Sequence, residues 1–206
     1  LRVTEQEKAG ACLNFRRKEV LGPTVGTAAG WEALERLAAR TPAGSHGVIF
    51  TPWLYGERTP VEDRSIRGGF HNLSLTAGRG SLVRSVMEGV AFNTRWLKGH
   101  VQKFIGRPLQ EIRMVGGGAR SDLWCQIMAD VLECTIHQLE KPVEANARGA
   151  GILAAVALGA GSFDTIAAGL TTRRSYRPDP VHRDRYAAMY RAFRDIYRTH
   201  RKICAR

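Results

Sequence analysis

A predicted strand, a glycine turn and a predicted helix meet at Val115-Gly116-Gly117-Gly118-Ala119-Arg120-Ser121-Asp122. Before the turn, residues 111–115 alternate in the manner of a strand. After it, apolar residues recur at the three- and four-residue steps of a helix: Trp124, Ile127, Met128, Val131 and Leu132. Ser121 or Asp122 is the predicted N-cap of that helix. The stretch therefore predicts a strand–turn–helix unit of an α/β fold.

Three consecutive glycines at the end of a strand predict a place where a ligand can touch the backbone. Gly116, Gly117 and Gly118 have no Cβ, so a ligand can approach the main chain to van der Waals distance. Free N–H groups and the dipole at the start of the following helix favour a nucleotide or a phosphate. The spacing is neither G-x-G-x-x-G nor G-x-x-x-x-G-K-[ST], which argues against a Rossmann dinucleotide site and a P-loop. From the glycines alone, a tight turn without a ligand is an equally good interpretation.

Helices and strands alternate on both sides of this unit, which places the chain in the α/β class. A helix beginning near Gly30 is predicted to end before Pro42, with four apolar residues on one face: Trp31, Leu34, Leu37 and Ala38. Residues 1–20 have no clear period and are expected to be irregular. The other predicted elements are a buried strand at 47–50, a long ordered loop at 51–75, a long helix at 81–105, a strand at 135–139 and a packed core helix at 145–161.

The positive charge of the chain is concentrated near its C-terminal end. The 206 residues carry 31 Lys and Arg against 19 Asp and Glu, a formal net charge of +12, and residues 173–206 hold eleven of the basic and three of the acidic residues. An apolar stripe at helical spacing runs through the same segment: Tyr186, Met189, Tyr190, Phe193, Ile196, Tyr197 and Ile203. The pattern favours a terminal helix that docks its aromatic face on the core. The alternative is an arginine-rich helix that binds nucleic acid or an anionic membrane.

Composition excludes several classes of protein. The chain is 44% hydrophobic, which is ordinary for a globular protein and excludes general disorder. No run of about 18 uncharged apolar residues occurs, so no membrane span is predicted. The four cysteines form no close CxxC pair and the six histidines lack metal-ligand spacing. These patterns predict no metal site and a reduced, cytoplasmic compartment.

Four motifs in a fixed order carry a family resemblance. They are Gly56-Glu57-Arg58-Thr59-Pro60 with Asp63 and Arg67-Gly68; Gly69-Phe70-x-x-Leu73 followed by the helix from Leu82; Val115-Gly116-Gly117-Gly118-Ala119-Arg120-Ser121-x-x-Trp124; and Glu144-Ala145-x-Ala147-x-Gly149-Ala150-Gly151. In this order and spacing the set resembles the C-terminal domain of the FGGY carbohydrate kinases, and among them the xylulokinases. The resemblance spans residues 26–161. Asn72 stands where that family usually has glycine, and Ser81 stands where it usually has His, Asp, Glu, Asn or Gln.

The resemblance implies a ribonuclease-H-like α/β fold of the kind found in actin and hexokinase. Members have two such domains, with ATP and the sugar in the cleft between them. Residues 1–206 would then be a nucleotide-binding C-terminal domain. Because the chain begins with Leu1 and not with Met, this domain is expected to be incomplete at its N-terminal end, and the sugar-binding N-terminal domain is expected to be absent.

The same resemblance assigns residues to the nucleotide site. Those expected to bind the nucleotide are Gly30, Gly116, Gly117, Gly118, Ala119, Arg120 and Asp122. Gly30 would line the phosphate side, and Gly117, Gly118 and Ala119 would lie against the adenine and ribose. A second group belongs to a loop near the cleft, where internal ion pairing is the alternative role: Glu57, Arg58 and Asp63.

The implied reaction is transfer of the γ-phosphoryl group of ATP to a sugar hydroxyl, with a pentulose such as xylulose as the expected acceptor. Such chemistry uses Mg²⁺ and a carboxylate that accepts the hydroxyl proton. In the family that carboxylate is the aspartate of a Gly-Asp-Gln-like segment, which does not occur in the chain. The chain alone is therefore expected to be inactive and to meet the sugar only together with the missing domain. The competing hypotheses are a basic nucleic-acid-binding module and an interaction domain that forms homodimers through an exposed apolar face.

Overall fold

The computed structural model describes residues 28–167 and 170–204, and the expectation of an irregular segment at 1–20 lies outside this part of the chain. The described helices are α1 (Ala28–Ala39), α2 (Arg79–Ile105), α3 (Asp122–Leu132), α4 (Ala145–Ala157), α5 (Phe163–Ala167) and α6 (Arg183–Cys204). The described strands are β1 (Ile49–Thr51), β2 (Gly69–His71), β3 (Glu111–Met114), β4 (Thr135–Leu139) and β5 (Thr172–Tyr176). This mixture of helices and strands confirms the predicted α/β class.

The strands form two small sheets. β1 and β2 pair antiparallel, with Phe50 opposite Phe70. The second sheet has the order β3–β4–β5, in which β3 and β4 are parallel and β4 and β5 are antiparallel. Because α3 connects the parallel strands β3 and β4, the segments that follow these two strands meet at the same edge of the sheet.

Helix α2 lies at the centre of the hydrophobic core. Most of its side chains between residues 81 and 93 are buried, and it contacts α1, α3, α6 and β1. Gly89 permits the close packing on β1, because a Cβ at this position would collide with the carbonyl oxygen of Phe50. The last turns of α2 extend beyond the core, so that Phe104 is 77% exposed.

Helix α6 confirms the first interpretation of the basic C-terminal segment. Its buried residues are Tyr186, Met189, Phe193 and Tyr197. Two of them pack against core tryptophans at steep interplanar angles, with ring centroids 5.1 Å apart for Trp53 and Phe193 and 4.9 Å apart for Trp96 and Tyr197. The aromatic face is thus used for packing on the core.

Several predictions of local structure are wrong. The sequence predicts a packed core helix at 145–161, but α4 ends at Ala157 and contains no buried residue. Within the described part of the chain, its contacts are mainly with the turn before it and with α5. The predicted loop at 51–75 contains β2, a strand of three residues that is too short to show a period of two. The sequence predicts no strand at the position of β5, because only Tyr176 of its five residues is buried and an apolar alternation is therefore absent. Leu37, predicted on the apolar face of α1, is 39% exposed.

Among residues 28–167 and 170–204, we find no helix with both the length and the apolar character that a membrane span requires.

Candidate functional site

The glycine turn lies at the edge of the sheet where the parallel strands β3 and β4 end. Residues Gly117–Arg120 form one turn of 3-10 helix, and α3 begins at Asp122. Ser121 is the N-cap, since its hydroxyl accepts a hydrogen bond of 3.0 Å from the backbone N–H of Trp124. The predicted cap is therefore confirmed. The N–H of Gly116 donates to the carbonyl of Pro142 at 2.8 Å, which ties the turn to the segment after β4.

The three glycines of the turn have different surroundings. Gly116 has a φ of 88°, a left-handed backbone that favours glycine. A Cβ on Gly118 would lie 3.0 Å from the ring of Trp124, so a side chain at this position would have to displace the indole. At Gly117, no atom of the described residues lies within 4 Å of the position that a Cβ would occupy. The side of the turn that is open to a ligand is therefore formed by Gly116 and Gly117.

Gln138, which the sequence analysis missed, holds the inner side of the turn. Ala119 is fully buried, and its carbonyl accepts a hydrogen bond of 2.7 Å from Nε2 of Gln138. Gln138 lies in β4 and is 1% exposed. Gln138 lies on the same face of β4 as the buried Ile136. A polar side chain on a buried strand face is the signal that could have revealed this contact.

Arg120 is the last residue of the glycine turn, and Asp122 is the first residue of α3. Asp122 Oδ1 accepts a hydrogen bond of 3.1 Å from Gln138, and Oδ2 lies 3.6 Å from the guanidinium of Arg174. Burial by itself would raise the pKa of Asp122, but the nearby hydroxyl of Tyr176, the hydrogen bond from Gln138 and the charges of Arg173 and Arg174 together lower this pKa below its ordinary value. The carboxylate therefore carries a negative charge at neutral pH, with 45% of its side chain exposed. Arg120 is exposed at the end of the turn.

Helix α1 joins the predicted phosphate side to the glycine turn. The hydroxyl of Ser121 donates to Oε1 of Glu35 at 2.6 Å, so α1 contacts the start of α3. Gly30 lies on the same helix, five residues before Glu35, which corresponds to about 7.5 Å along the helix axis. Gly30 and the glycine turn thus belong to elements that contact each other directly.

The segment after β4 forms a second side of the site. A 3-10 turn at Pro142–Glu144 lies beside the glycine turn and leads into α4. Positions of a Cβ at Gly149 and Gly151 meet no atom of the described residues within 4 Å. The start of the fourth sequence motif and the glycine turn therefore lie beside each other at the same edge of the sheet.

The loop residues Glu57, Arg58 and Asp63 have contacts within their own loop and with neighbouring helices. The backbones of Glu57 and Asp63 exchange two hydrogen bonds, of 2.8 and 2.7 Å. Glu57 Oε1 accepts from the N–H of Arg58 at 2.9 Å, and Oε2 accepts from Nδ2 of Asn93 in α2 at 3.0 Å. Asp63 Oδ2 accepts from the hydroxyl of Tyr197 in α6 at 3.1 Å. The loop is thus held by α2 and α6, whereas the glycine turn is held by α3 and β4.

Of the described residues, no three His, Cys, Asp or Glu side chains are grouped in a way that could hold a metal ion. The part of the chain that the structure describes therefore offers a backbone surface for a ligand and no set of metal ligands.

Comparison with known sequences assigns the chain to one family. The sequence model of the FGGY family of carbohydrate kinases, C-terminal domain, matches residues 5–158. A xylulose kinase of Staphylococcus epidermidis is 33% identical over 179 residues, which cover 85% of the chain and 35% of that protein. A gluconokinase of Bacillus subtilis is 31% identical over 168 residues, which cover 81% of the chain and 32% of that protein. The chain spans about a third of the length of the curated relatives it matches.

Comparison with solved structures agrees with this assignment. The xylulose kinase from Rhodospirillum rubrum superposes with a TM-score of 0.79 and 34% identity, over 96% of this chain and 39% of that one. The Plasmodium falciparum glycerol kinase with ADP superposes with a TM-score of 0.72 over 91% of this chain and 36% of that one; at 18% identity, this likeness shows the fold alone. The ribonuclease-H-like fold of actin and hexokinase, expected from the sequence motifs, is confirmed. The chain belongs to the FGGY family of carbohydrate kinases, and its match is to their C-terminal domain.

Proposed function

We propose that this chain is the nucleotide-binding, C-terminal part of an ATP-dependent carbohydrate kinase. In this proposal the adenosine end of ATP or ADP lies on the open side of the glycine turn, against Gly116 and Gly117, and Gly30 lines the phosphate side. Contact of the nucleotide with Gly118, Ala119, Arg120 and Asp122 stays a prediction.

The exposed backbone at Gly117 is the observation that carries the proposal. Its neighbours on the inner side are buried or packed against Trp124, yet the position of a Cβ at Gly117 meets no described protein atom within 4 Å. Nothing in the packing therefore requires glycine at this position, whereas a flat ligand against the backbone would require it. The family to which the chain belongs supplies the class of ligand, a nucleotide.

Substitution of Gly117 by Val tests the nucleotide site directly. We expect Gly117→Val to abolish ADP binding measured by calorimetry, because the added side chain occupies the surface that the ligand would contact. Gly99→Val is the matched control, since Gly99 also has an open Cβ position and is not one of the buried residues of α2. Unchanged ADP affinity of Gly117→Val would place the nucleotide elsewhere.

For the complete enzyme we propose transfer of the γ-phosphoryl group of ATP to a sugar hydroxyl. Xylulose is the first acceptor to test, because xylulose kinases are among the relatives, and gluconate is the second. Mg²⁺ would spread the charge of the transferred phosphoryl group. Since the described residues lack a cluster of metal ligands, we assign no Mg²⁺ ligand to them.

Two further expectations stay predictions. The 206-residue chain alone is expected not to phosphorylate a sugar, and ATP-dependent turnover of xylulose by the purified chain would contradict this.

A cytoplasmic location is favoured by the unpaired cysteines, which among the described residues are Cys125, Cys134 and Cys204. The nucleic-acid alternative finds no support among the relatives.

A further inference from the structure

We propose that Gln138 is a positioning residue of the nucleotide site, which fixes the shape of the glycine turn through the carbonyl group of Ala119. The inference rests on the proposed nucleotide-binding function, because the shape of the turn matters to a ligand only if a ligand binds there. Gln138 itself does not reach the open side of the turn, since it is 1% exposed.

The carboxamide of Gln138 joins three elements below the turn. Its Nε2 donates to the carbonyl of Ala119 at 2.7 Å and to Oδ1 of Asp122 at 3.1 Å. Its Oε1 accepts a hydrogen bond of 3.2 Å from the hydroxyl of Tyr176 in β5. Two acceptors face the nitrogen and one donor faces the oxygen, so a single orientation of the amide satisfies all three partners. Rotation of the side chain amide would place the oxygen against two acceptors.

The two hydrogen bonds within the turn are long, so its shape relies on contacts from outside, such as this one and the 2.8 Å bond from the N–H of Gly116 to the carbonyl of Pro142. The N–H of Ala119 donates to the carbonyl of Gly116 at 3.2 Å, and the N–H of Ser121 donates to the carbonyl of Gly118 at 3.2 Å. Besides Gln138, the carbonyl of Ala119 is approached by Sγ of Cys125 at 3.8 Å, which is a weak donor. Without the carboxamide, a buried carbonyl would lack a strong partner, and rotating the peptide out of the core is the way to regain one.

That rotation would change the surface offered to a nucleotide. The peptide between Ala119 and Arg120 lies two residues after Gly117, in the same single turn of 3-10 helix. The same carboxamide also orients Asp122, which follows the turn. Gln138 thus controls the backbone on the open side and the carboxylate beside it from one buried position.

Substitution by leucine gives the first test. We expect Gln138→Leu to weaken ADP binding, measured by calorimetry on the full chain, by about fivefold to a hundredfold, the range for an unpaired buried acceptor. Gln126→Leu is the matched control: Gln126 donates to Asp130 at 2.7 Å and to the carbonyl of Arg177 at 2.8 Å, away from the turn. We expect this control to change ADP affinity by less than about twofold.

Substitution by glutamate separates positioning from simple packing. An ionised carboxylate at this place cannot donate to Ala119, whereas a protonated one can. The ordinary pKa of glutamate is about 4.3 and burial raises it. We therefore expect the ADP affinity of Gln138→Glu to rise, relative to the wild type at the same pH, as the pH falls from about 8 to about 5.5. If Gln138 only fills space, the free energy of unfolding of these variants will change while their ADP affinity follows that of the wild type at every pH, and the proposal is then wrong.

Absence of ADP binding by the wild-type chain would contradict the proposed function, and hydrogen exchange then decides the role of Gln138. The amide hydrogens of Ala119 and Ser121 are expected to exchange at least about tenfold faster in Gln138→Leu, relative to core amides of α2, and unchanged in Gln126→Leu. Equal exchange of the turn amides in the wild type and in Gln138→Leu would show that this residue does not fix the turn.

Discussion

Gly117 and Gly118 are neighbours in the sequence, but their substitution affects different properties of the molecule. A Cβ at Gly118 would lie 3.0 Å from Cζ3 and 3.1 Å from Cε3 of Trp124. That ring is 3% exposed, and its Nε1 donates to the carbonyl of Met87 at 3.2 Å. Because packing and a hydrogen bond hold the indole in place, an added methyl group would press against it.

We therefore predict that Gly118→Ala lowers the free energy of unfolding by about 1 to 3 kcal/mol, as overpacked positions do. Gly117→Ala, with an open Cβ position, is expected to change it by less than about 0.5 kcal/mol. Urea denaturation of both variants measures the difference. A Gly118→Ala variant as stable as the wild type would mean that the indole adapts.

The candidate site could be predicted only in part at this scale. The run of three glycines after a strand predicts a turn whose backbone is accessible, and this turn is present. Which glycine faces outward depends on Trp124, six residues further along the chain, and no local pattern contains that information. Gln138 was missed for the same reason, since its partners lie on three different elements. Asn72 stands where the family usually has glycine. Its φ of 58° is positive, a conformation that asparagine tolerates better than most residue types.

A buried ion pair connects the elements that surround α2. Glu88 is fully buried, and its Oε1 lies 2.8 Å from Nε of Arg84, one turn earlier on the same helix. The carboxylate also accepts hydrogen bonds from the N–H of Gly44 at 2.9 Å, the hydroxyl of Ser45 at 2.7 Å and the hydroxyl of Tyr186 at 2.9 Å. One side chain thus links α2 to the turn after α1 and to α6.

We predict that Glu88→Ala lowers the free energy of unfolding by about 3 to 5 kcal/mol, because it leaves the buried guanidinium of Arg84 without its counter-charge. The control is Glu32→Ala, which breaks the exposed pair with Arg36 at 3.7 Å and is expected to cost less than about 1 kcal/mol. Urea denaturation measures both.

If Glu88→Ala does not fold, the double variant Arg84→Met/Glu88→Leu is expected to recover folding, since it removes both charges together. A loss below about 1 kcal/mol for Glu88→Ala would show that Arg84 finds another partner.

Element prediction succeeded where one face of a helix is buried along most of its length. The apolar residues of α3 and α6 recur at helical spacing because the core lies on one side of each. It failed for β5, where four of five residues are exposed. For α4 it identified the helix but not its environment, because small residues such as alanine and glycine suit both a packed interface and an open surface.

At the scale of the whole molecule, the uncovered surface around α4 is the largest departure from the sequence-based expectation. Large apolar side chains are exposed in this region: Val115 at 47%, Val143 at 57%, Leu153 at 61%, Leu158 at 85% and Phe163 at 55%. Among the described residues, β3 pairs with β4 alone, and none of them pairs with its other edge. The sequence could not predict this exposure, because burial of a helix depends on which other elements are present.

We predict that the purified 206-residue chain self-associates through this surface, since burial of exposed leucines is favourable at about 1.5 to 3 kcal/mol for each side chain. The net charge of +12 opposes association, so the association is expected to strengthen as salt screens the repulsion. Light scattering over a range of protein concentrations and salt concentrations measures it. The double variant Leu153→Glu/Leu158→Glu is expected to shift the chain to monomer. The control is Leu75→Glu, which alters an exposed leucine in the loop before α2 and is expected to have no effect on association. A wild-type chain that stays monomeric at every concentration and salt, or a double variant that associates like the wild type, would contradict the assignment of this surface as an interface.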